Sequence, residues 1–150
     1  MIDPTSKYIT ACQTGDIIAV EQSLIDTRVD VSFRKNLGIR LAAEYGRLEI
    51  VKLLSLDERI DPGDCDNDAL KWASKNGRSD VVRLLLSDHR VDPTAMNYFA
   101  LRIAAKNKHK ETVRLLLEDG RYDLEKITDM VSKNGHSDII QFIIQVRDTM

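Results

Sequence analysis

From Asn67 to Pro93 the apolar positions recur at helical rather than alternating spacing, and NDALKWASKNGRSDVVRLLLSDHRVDP reads as two short helices reversing at Gly77. The first, Asp68 to Asn76, places Leu70, Trp72 and Ala73 in core slots. The second, Ser79 to Ser87, offers Ser79 as N-cap and Asp80 against the helix dipole, then Val81, Val82, Leu84, Leu85 and Leu86. Helices of about nine residues are not stable alone in water, so neighbouring units must hold them.

The same pattern returns without a gap: AAEYGRLEIVKLLSLDERID from Ala42, ASKNGRSDVVRLLLSDHRVD from Ala73 and AAKNKHKETVRLLLEDGRYD from Ala104, a step of 31 residues each time. Weaker copies begin at Ala11 and Met130. A period in this range means a solenoid or propeller, and the repeats are expected at roughly 1–31, 32–62, 63–93, 94–124 and 125–150, in one domain. Leu41 and Ile103 share the slot of Trp72, which is read as packing rather than a ligand platform. Small residues at Ala42/Ala43, Ala73/Ser74 and Ala104/Ala105 allow close helix approach. Gly15, Gly46, Gly77 and Gly135 stand where a left-handed residue must end the first helix, and Lys108 takes that place in the fourth copy.

Each of four copies closes with Asp-x-Arg, an apolar residue and Asp, around Arg28, Arg59, Arg90 and Arg121. Every Arg is bracketed by two Asp, so the row is read as an ion-pair ladder rather than an anion site. The segments that follow, VSFRKNL, PGDCDND and PTAMNYF, carry turn chemistry and read as hairpin-like loops. They differ most between copies. The loop is missing at both ends, where 8 residues separate Asp3 from Ala11 and Asp123 from Val131, against 12 in the interior.

At 43% hydrophobic and 31% charged the composition is that of a soluble globular chain. The net charge of -2 divides as -3, +1, -1, +2 and -1 along the five units, and Asp64, Asp66 and Asp68 make the third loop acidic, which argues against a nucleic-acid partner. Cys12 and Cys65 fall at different places in different units and read as free thiols of a reducing compartment. The opening MIDPTSKYITACQ lacks a leader pattern, and no apolar stretch approaches a membrane span.

Two helices, a projecting turn and the core ASKNGRSDVVRLLL (Ala73 to Leu86) or AAEYGRLEIVKLL (Ala42 to Leu54) resemble the ankyrin repeat over nearly the whole chain. The unit is shorter than the usual ankyrin length of about 33 residues. The family's Thr-Pro-Leu-His signature stands here as Leu37-Gly38-Ile39-Arg40, Asp68-Ala69-Leu70-Lys71 and Phe99-Ala100-Leu101-Arg102, so its Thr/His hydrogen bonding is not expected. With its R-V-D-P ending, the variant is similar to ankyrin arrays abundant in giant DNA viruses and protists. The resemblance implies an all-α ankyrin-repeat solenoid of about five helix-turn-helix units with projecting β-turn loops. It also implies a non-enzymatic scaffold that holds another protein in an intracellular, cytoplasmic setting, a host cell's where the array is viral.

Mapped onto these residues, the family's variable positions are Phe33, Arg34 and Asn36, then Asp64, Cys65 and Asn67, then Ala95, Met96 and Tyr98 in the loops. From the first helices come Glu44, Tyr45, Lys75 and Lys106, with Asn76 and Asn107 as weaker members. Phe33, Met96 and Tyr98 are the apolar anchors, of the residue types enriched at binding hot spots. No phosphate loop, HExxH, CxxC pair or GxSxG occurs, and a single-layer solenoid offers a groove rather than an enclosed cavity, so no catalytic residue, metal or cofactor is assigned. His89, His109 and His136 are read as surface or locally bonded. The competing classes are a polyanion or nucleic-acid binder using the Arg row, and a small inhibitor of an enzyme. The C-terminal helix, Asp138 to Val146, shows a narrow polar stripe and suggests self-association.

Overall fold

The computed structural model describes residues 3–133 and 137–150, with the side chains of Met130 and Val131 outside that description. Gly135 and His136, expected at the last turn and in the slot after it, lie outside the described residues. Among the described residues the chain forms ten helices and no strand: α1 (Pro4–Thr14), α2 (Ile17–Ile25), α3 (Phe33–Glu44), α4 (Leu48–Ser55), α5 (Asp64–Lys75), α6 (Ser79–Leu86), α7 (Ala95–Lys106), α8 (Lys110–Glu118), α9 (Leu124–Lys133) and α10 (Ser137–Arg147). The first helices α1, α3, α5 and α7 pack on one another in chain order, and the second helices α2, α4, α6 and α8 form a parallel row. This is the all-α solenoid that the ankyrin resemblance implies.

The core lies between the rows. Ile39, Leu70 and Leu101 enter it from the first helices, Val51, Val82 and Val113 with Leu54, Leu85 and Leu116 from the second, and Ile60 and Val91 from the closing motif. Ala42, Ala43, Ala73, Ser74, Ala104 and Ala105 are fully buried, as close helix approach requires. In the first repeat Tyr8 occupies the slot of Ile39 and is also fully buried. Its ring fills the space beside Gly38, where a Cβ would stand 2.4 Å from the phenol oxygen. One and two periods on, where Ile39 and Leu70 take the tyrosine's slot, the glycine's place is filled by Ala69 and Ala100.

The loops take a form that turn composition alone did not specify. Each begins with a β-turn in which Phe33, Asp64 or Ala95 donates its N–H to the carbonyl of Asp30, Asp61 or Asp92, 3.3 Å in all three. The same Asp side chain accepts from Ser32, Gly63 or Thr94. Three left-handed residues follow in place of a hairpin: Arg34-Lys35-Asn36, Cys65-Asp66-Asn67 and Met96-Asn97-Tyr98, with φ between 48° and 63°. Left-handed backbone costs an L-residue about 1–2 kcal/mol, and Asn tolerates it best. Part of that cost is offset by a helical hydrogen bond of the reversed hand, from Asn36, Asn67 and Tyr98 N–H to Ser32, Gly63 and Thr94 carbonyls, 3.0 Å each. The terminal helices α1 and α9 lack the loop and start on an Asp, with Asp3 and Asp123 accepting the Ser6 and Lys126 N–H groups.

Gly15, Gly46, Gly77 and Lys108 are left-handed, as the turn position demands. One expectation is corrected. Arg78, not Ser79, is the N-cap of α6, and the Ser79 hydroxyl instead meets the buried Thr112 hydroxyl of the next repeat at 3.0 Å. In α10, Ile139, Ile143 and Val146 are buried and Ile140 and Phe142 pack on the core, because the helix lies against α7, α8 and α9. Only Ile144 among its described apolar residues is exposed. Much of the apolar surface that suggested self-association is taken up by these contacts.

Candidate interaction surface on the first helices

Two sets of in-register side chains tie each repeat to the one before it, and a third ties each loop to its own helix. Arg59, Arg90 and Arg121 lie along the edge after the second helices. Arg90 donates to the Ile60 and Ser55 carbonyls at 3.0 and 2.7 Å, and Arg121 to Val91 and Leu86, both at 3.0 Å. Each Arg, with Arg28, is held by the first Asp of its motif only. The second Asp is spent on the loop or helix cap, so the expected bracket of two carboxylates is corrected to one clamp, and along this edge the repeats are joined by Arg-to-carbonyl bonds rather than by ion pairs. The Arg hydrogen bonds hold the Asp57 and Asp88 carboxyls below the usual range and bring Asp26 down to about 2. Arg90 and Arg121 each spend their donors on two carbonyls and one carboxylate, whereas Arg28 meets only Asp26.

The second set follows the glycine turn. Arg47 donates to the Gln13 carbonyl at 3.0 Å and Arg78 to Glu44 at 3.2 Å, while the His109 ring reaches Lys75 at 2.9 Å. Asn76 and Asn107 reach the same Glu44 and Lys75 carbonyls, which makes them inter-repeat ties rather than free binding positions. The third set stands in the slot of the family's histidine. Arg40, Lys71 and Arg102 donate to carbonyls of their own left-handed turns, at Arg34, Cys65 and Asn97, 3.2 Å each. A cation thus ties the loop from the slot where the resembling signature has His.

Helical spacing then decides what the first helices show to solvent. Positions i, i+3, i+4 and i+7 share a face: Leu37, Arg40, Leu41 and Glu44 on α3, Asp68, Lys71, Trp72 and Lys75 on α5, Phe99, Arg102, Ile103 and Lys106 on α7. Leu41, Trp72 and Ile103 are therefore half-buried, not core residues. The reading of Trp72 as packing is corrected, and the wheel through Asp68, Lys71 and Lys75 is the signal that would have placed it. Asp68 is bridged by Arg40 at 2.5 Å and by Lys71 at 2.7 Å. One repeat on, Phe99 replaces the carboxylate, with Lys71 and Arg102 each 6.0 Å from its ring centroid. Between α5 and α7 a groove of about 230 Å³ opens, lined by Asp68, Lys71, Trp72, Lys75, Met96, Phe99 and Ile103.

The anticipated binding residues divide. Phe33, Tyr45 and Met96 are exposed, at 36%, 40% and 54%, and Lys75 and Lys106 are exposed beside them. The Arg34 guanidinium lies over the Phe33 ring at 5.3 Å. Glu44 is half-buried. Asn36 and Asn67 are buried and serve the scaffold: Asn36 donates to Asp64 at 2.8 Å, and Asn67 accepts the Asp92 N–H at 2.7 Å. They leave the binding set, and Asp64 is tied down with them. Tyr98 packs on the core with its ring 5.7 Å from Tyr122 and is no free anchor. Cys12 is buried, which pushes its thiol up to about 12, and Cys65 is half-buried; both are unpaired. Among the described residues no cluster of His, Cys, Asp or Glu has the makings of a metal site, and no helix is long and apolar enough to cross a membrane.

What the fold defines is a helical repeat array with its first helices in one row and its second helices in another. The family model for ankyrin repeats (3 copies) matches residues 39–128, more than half the chain, and the chain belongs to that family. No curated protein matches the chain. Ankyrin repeats are in general protein-interaction modules, which is the class of function the membership carries.

Proposed function

We propose that the protein is a non-enzymatic scaffold that holds a partner protein on the face made by its first helices and loop turns, the concave face of an ankyrin array. The observation that supports this most directly is the groove between α5 and α7, where Trp72, Met96, Phe99 and Ile103 leave apolar surface among lysines instead of closing it. Exposed Phe33 and Tyr45 extend the same face toward the second repeat. Both cysteines are free, which fits a cytoplasmic setting.

Photo-crosslinking residues placed singly at positions 33, 75 and 96, and at 52 and 83 on the second helices, test the reading in extract of the native cell. A discrete adduct from the first three positions and none from the last two is the expected result. Adducts confined to positions 52 and 83 would move the binding face to the opposite side. Replacing Phe33, Trp72 and Met96 together by Ala should then weaken binding of the identified partner at least about tenfold, or 1.4 kcal/mol, with helical circular dichroism retained.

A further inference from the structure

We infer that the α5–α7 groove takes one large apolar side chain of an acidic partner segment, whose carboxylates lie against the lysines and arginines around it. The inference rests on the first-helix face being the binding face and adds the chemistry of what binds there. The volume of about 230 Å³ falls below the roughly 300–1,000 Å³ of small-molecule sites and suits a single side chain. Charge supplies the second argument. The chain as a whole carries -2, yet on this face of α3, α5 and α7 the cations Arg40, Lys71, Lys75, Arg102 and Lys106 oppose only Glu44 and Asp68. Asp68 is already held by Arg40 and Lys71, whereas Lys75, Arg102 and Lys106 have no carboxylate within salt-bridge reach among the described residues.

Of the acidic middle expected from Asp64, Asp66 and Asp68, the one carboxylate in the groove, Asp68, is offset by two cations, while Asp64 is bonded to the Asn36 amide and the Cys65 N–H and Asp66 stands exposed in the loop. The positive field falls on the apolar groove itself, and complementarity of this kind selects an acidic segment and speeds its encounter. A nucleic-acid strand fits less well. Single strands stack bases on open aromatic faces, but the Trp72 ring is covered by the Lys75 ammonium at 4.4 Å, and Phe99 stands between Lys71 and Arg102.

Trp72 is the only tryptophan of the chain, so its emission reports the groove directly. The probe is a short peptide of Asp and Glu around one Phe, free of Trp and Tyr, titrated into the full chain. Its partners in the test are the same peptide with Gly for Phe, the Phe peptide flanked by Lys, and oligodeoxythymidylate. The expected result is a saturable shift with the acidic Phe peptide alone, weakened at least about tenfold by added salt and by the double variant Lys75→Glu/Lys106→Glu. Circular dichroism of that variant should match the parent, because both lysines are exposed and outside the ion pairs.

Equal binding of the Lys-flanked peptide would overturn the acidic assignment while leaving the binding face intact. Equal binding of the Gly peptide or the oligonucleotide would make the site a polyanion surface and overturn the apolar anchor. Tight binding with no change at Trp72 and no effect of the double variant would put the site elsewhere, against both the inference and the face it rests on. Absence of binding by any probe at millimolar concentration would also overturn the inference, while the crosslinking result would still decide the face.

Discussion

The junction between the second and third repeats and the junction between the third and fourth are built on equivalent core slots and differ on their solvent-facing side, most plainly where Asp68 gives way to Phe99. At the first, Asp68 draws Arg40 and Lys71 together and the surface is closed by ion pairs. At the second, Phe99 stands in the same register between Lys71 and Arg102, and the surface stays open as an apolar groove. The lesson is a division of labour. The buried alanines and leucines carry the period, and the residues on the outer side of the first helix set whether a junction is bridged by ion pairs or left as an apolar groove.

The largest effect expected breaks both junctions at once. Leu85 is 1% exposed on α6, which lies between α4 and α8, so Leu85→Ala should cost roughly 2–5 kcal/mol. In a stack of nearest-neighbour contacts that loss weakens the units on both sides. A urea midpoint equal to that of the parent would show that Leu85 does not carry the stack.

Asp68→Ala should break only the sealed junction. It leaves Arg40 and Lys71, with side chains 22% and 13% exposed, facing each other without a carboxylate. The cost should be about 2–3 kcal/mol, at or below the low end for a broken buried pair because some water still reaches all three groups. Phe99→Ala, by contrast, should lower affinity for the probe peptide more than it lowers stability. Stability losses of the same size at both sites, with binding untouched, would erase the distinction between the two junctions.

How much of this could be seen in the chain follows the same division. Ile39, Leu70 and Leu101 could be placed because core residues obey the helical period, and the glycine turns because only a left-handed residue fits there. Trp72 was misplaced because aligning apolar slots between copies says that Leu41, Trp72 and Ile103 are equivalent, not that they are buried. The left-handed runs were hidden for a different reason. Arg34, Lys35, Cys65 and Met96 have no preference for that backbone, and what stabilises it comes from cations at positions 40, 71 and 102 and from the Asp at each turn. Nothing local announces such a loop. The Arg row was visible as a row, but not that its second Asp bonds backbone N–H groups while the guanidinium reaches carbonyls of the preceding repeat.

That row should act alike at the two junctions. Arg90→Ala and Arg121→Ala remove equivalent pairs of carbonyl bonds and one Asp clamp each, and each should cost about 1–2 kcal/mol. The acid limb carries the second signature. Asp57 and Asp88 have carboxyls lowered on folding, so their contribution is present above the ordinary carboxylate range and is lost as pH falls through the lowered values. Stability of the parent should decline below about pH 4, and Arg90→Ala should flatten part of that decline. An unchanged acid limb in Arg90→Ala would separate the Asp88 titration from the clamp.

The smallest effect belongs to the turn after the fourth first helix, and it separates two reasons for a glycine. At Gly77 the backbone is left-handed, and the His109 ring of the next repeat stands 2.6–2.9 Å from where a Cβ would be. At Lys108 the backbone is equally left-handed, with φ 61°, yet a side chain is present and its ammonium lies 4.7 Å from the Phe142 ring centroid. Lys108→Gly relieves the left-handed strain of about 1–2 kcal/mol. It also gives up a cation–π contact of about 0.5–1 kcal/mol and frees the unfolded chain by about 0.4–1 kcal/mol. These terms nearly cancel, and the melting midpoint should stay within a few degrees of the parent. Lys108→Ala keeps the strain and loses the contact, so it should be the less stable of the two. The reverse substitution Gly77→Lys, which meets both the strain and the His109 ring, should cost more than either. If Lys108→Gly proved clearly destabilising and Lys108→Ala did not, the backbone there would not be the left-handed turn its register gives it.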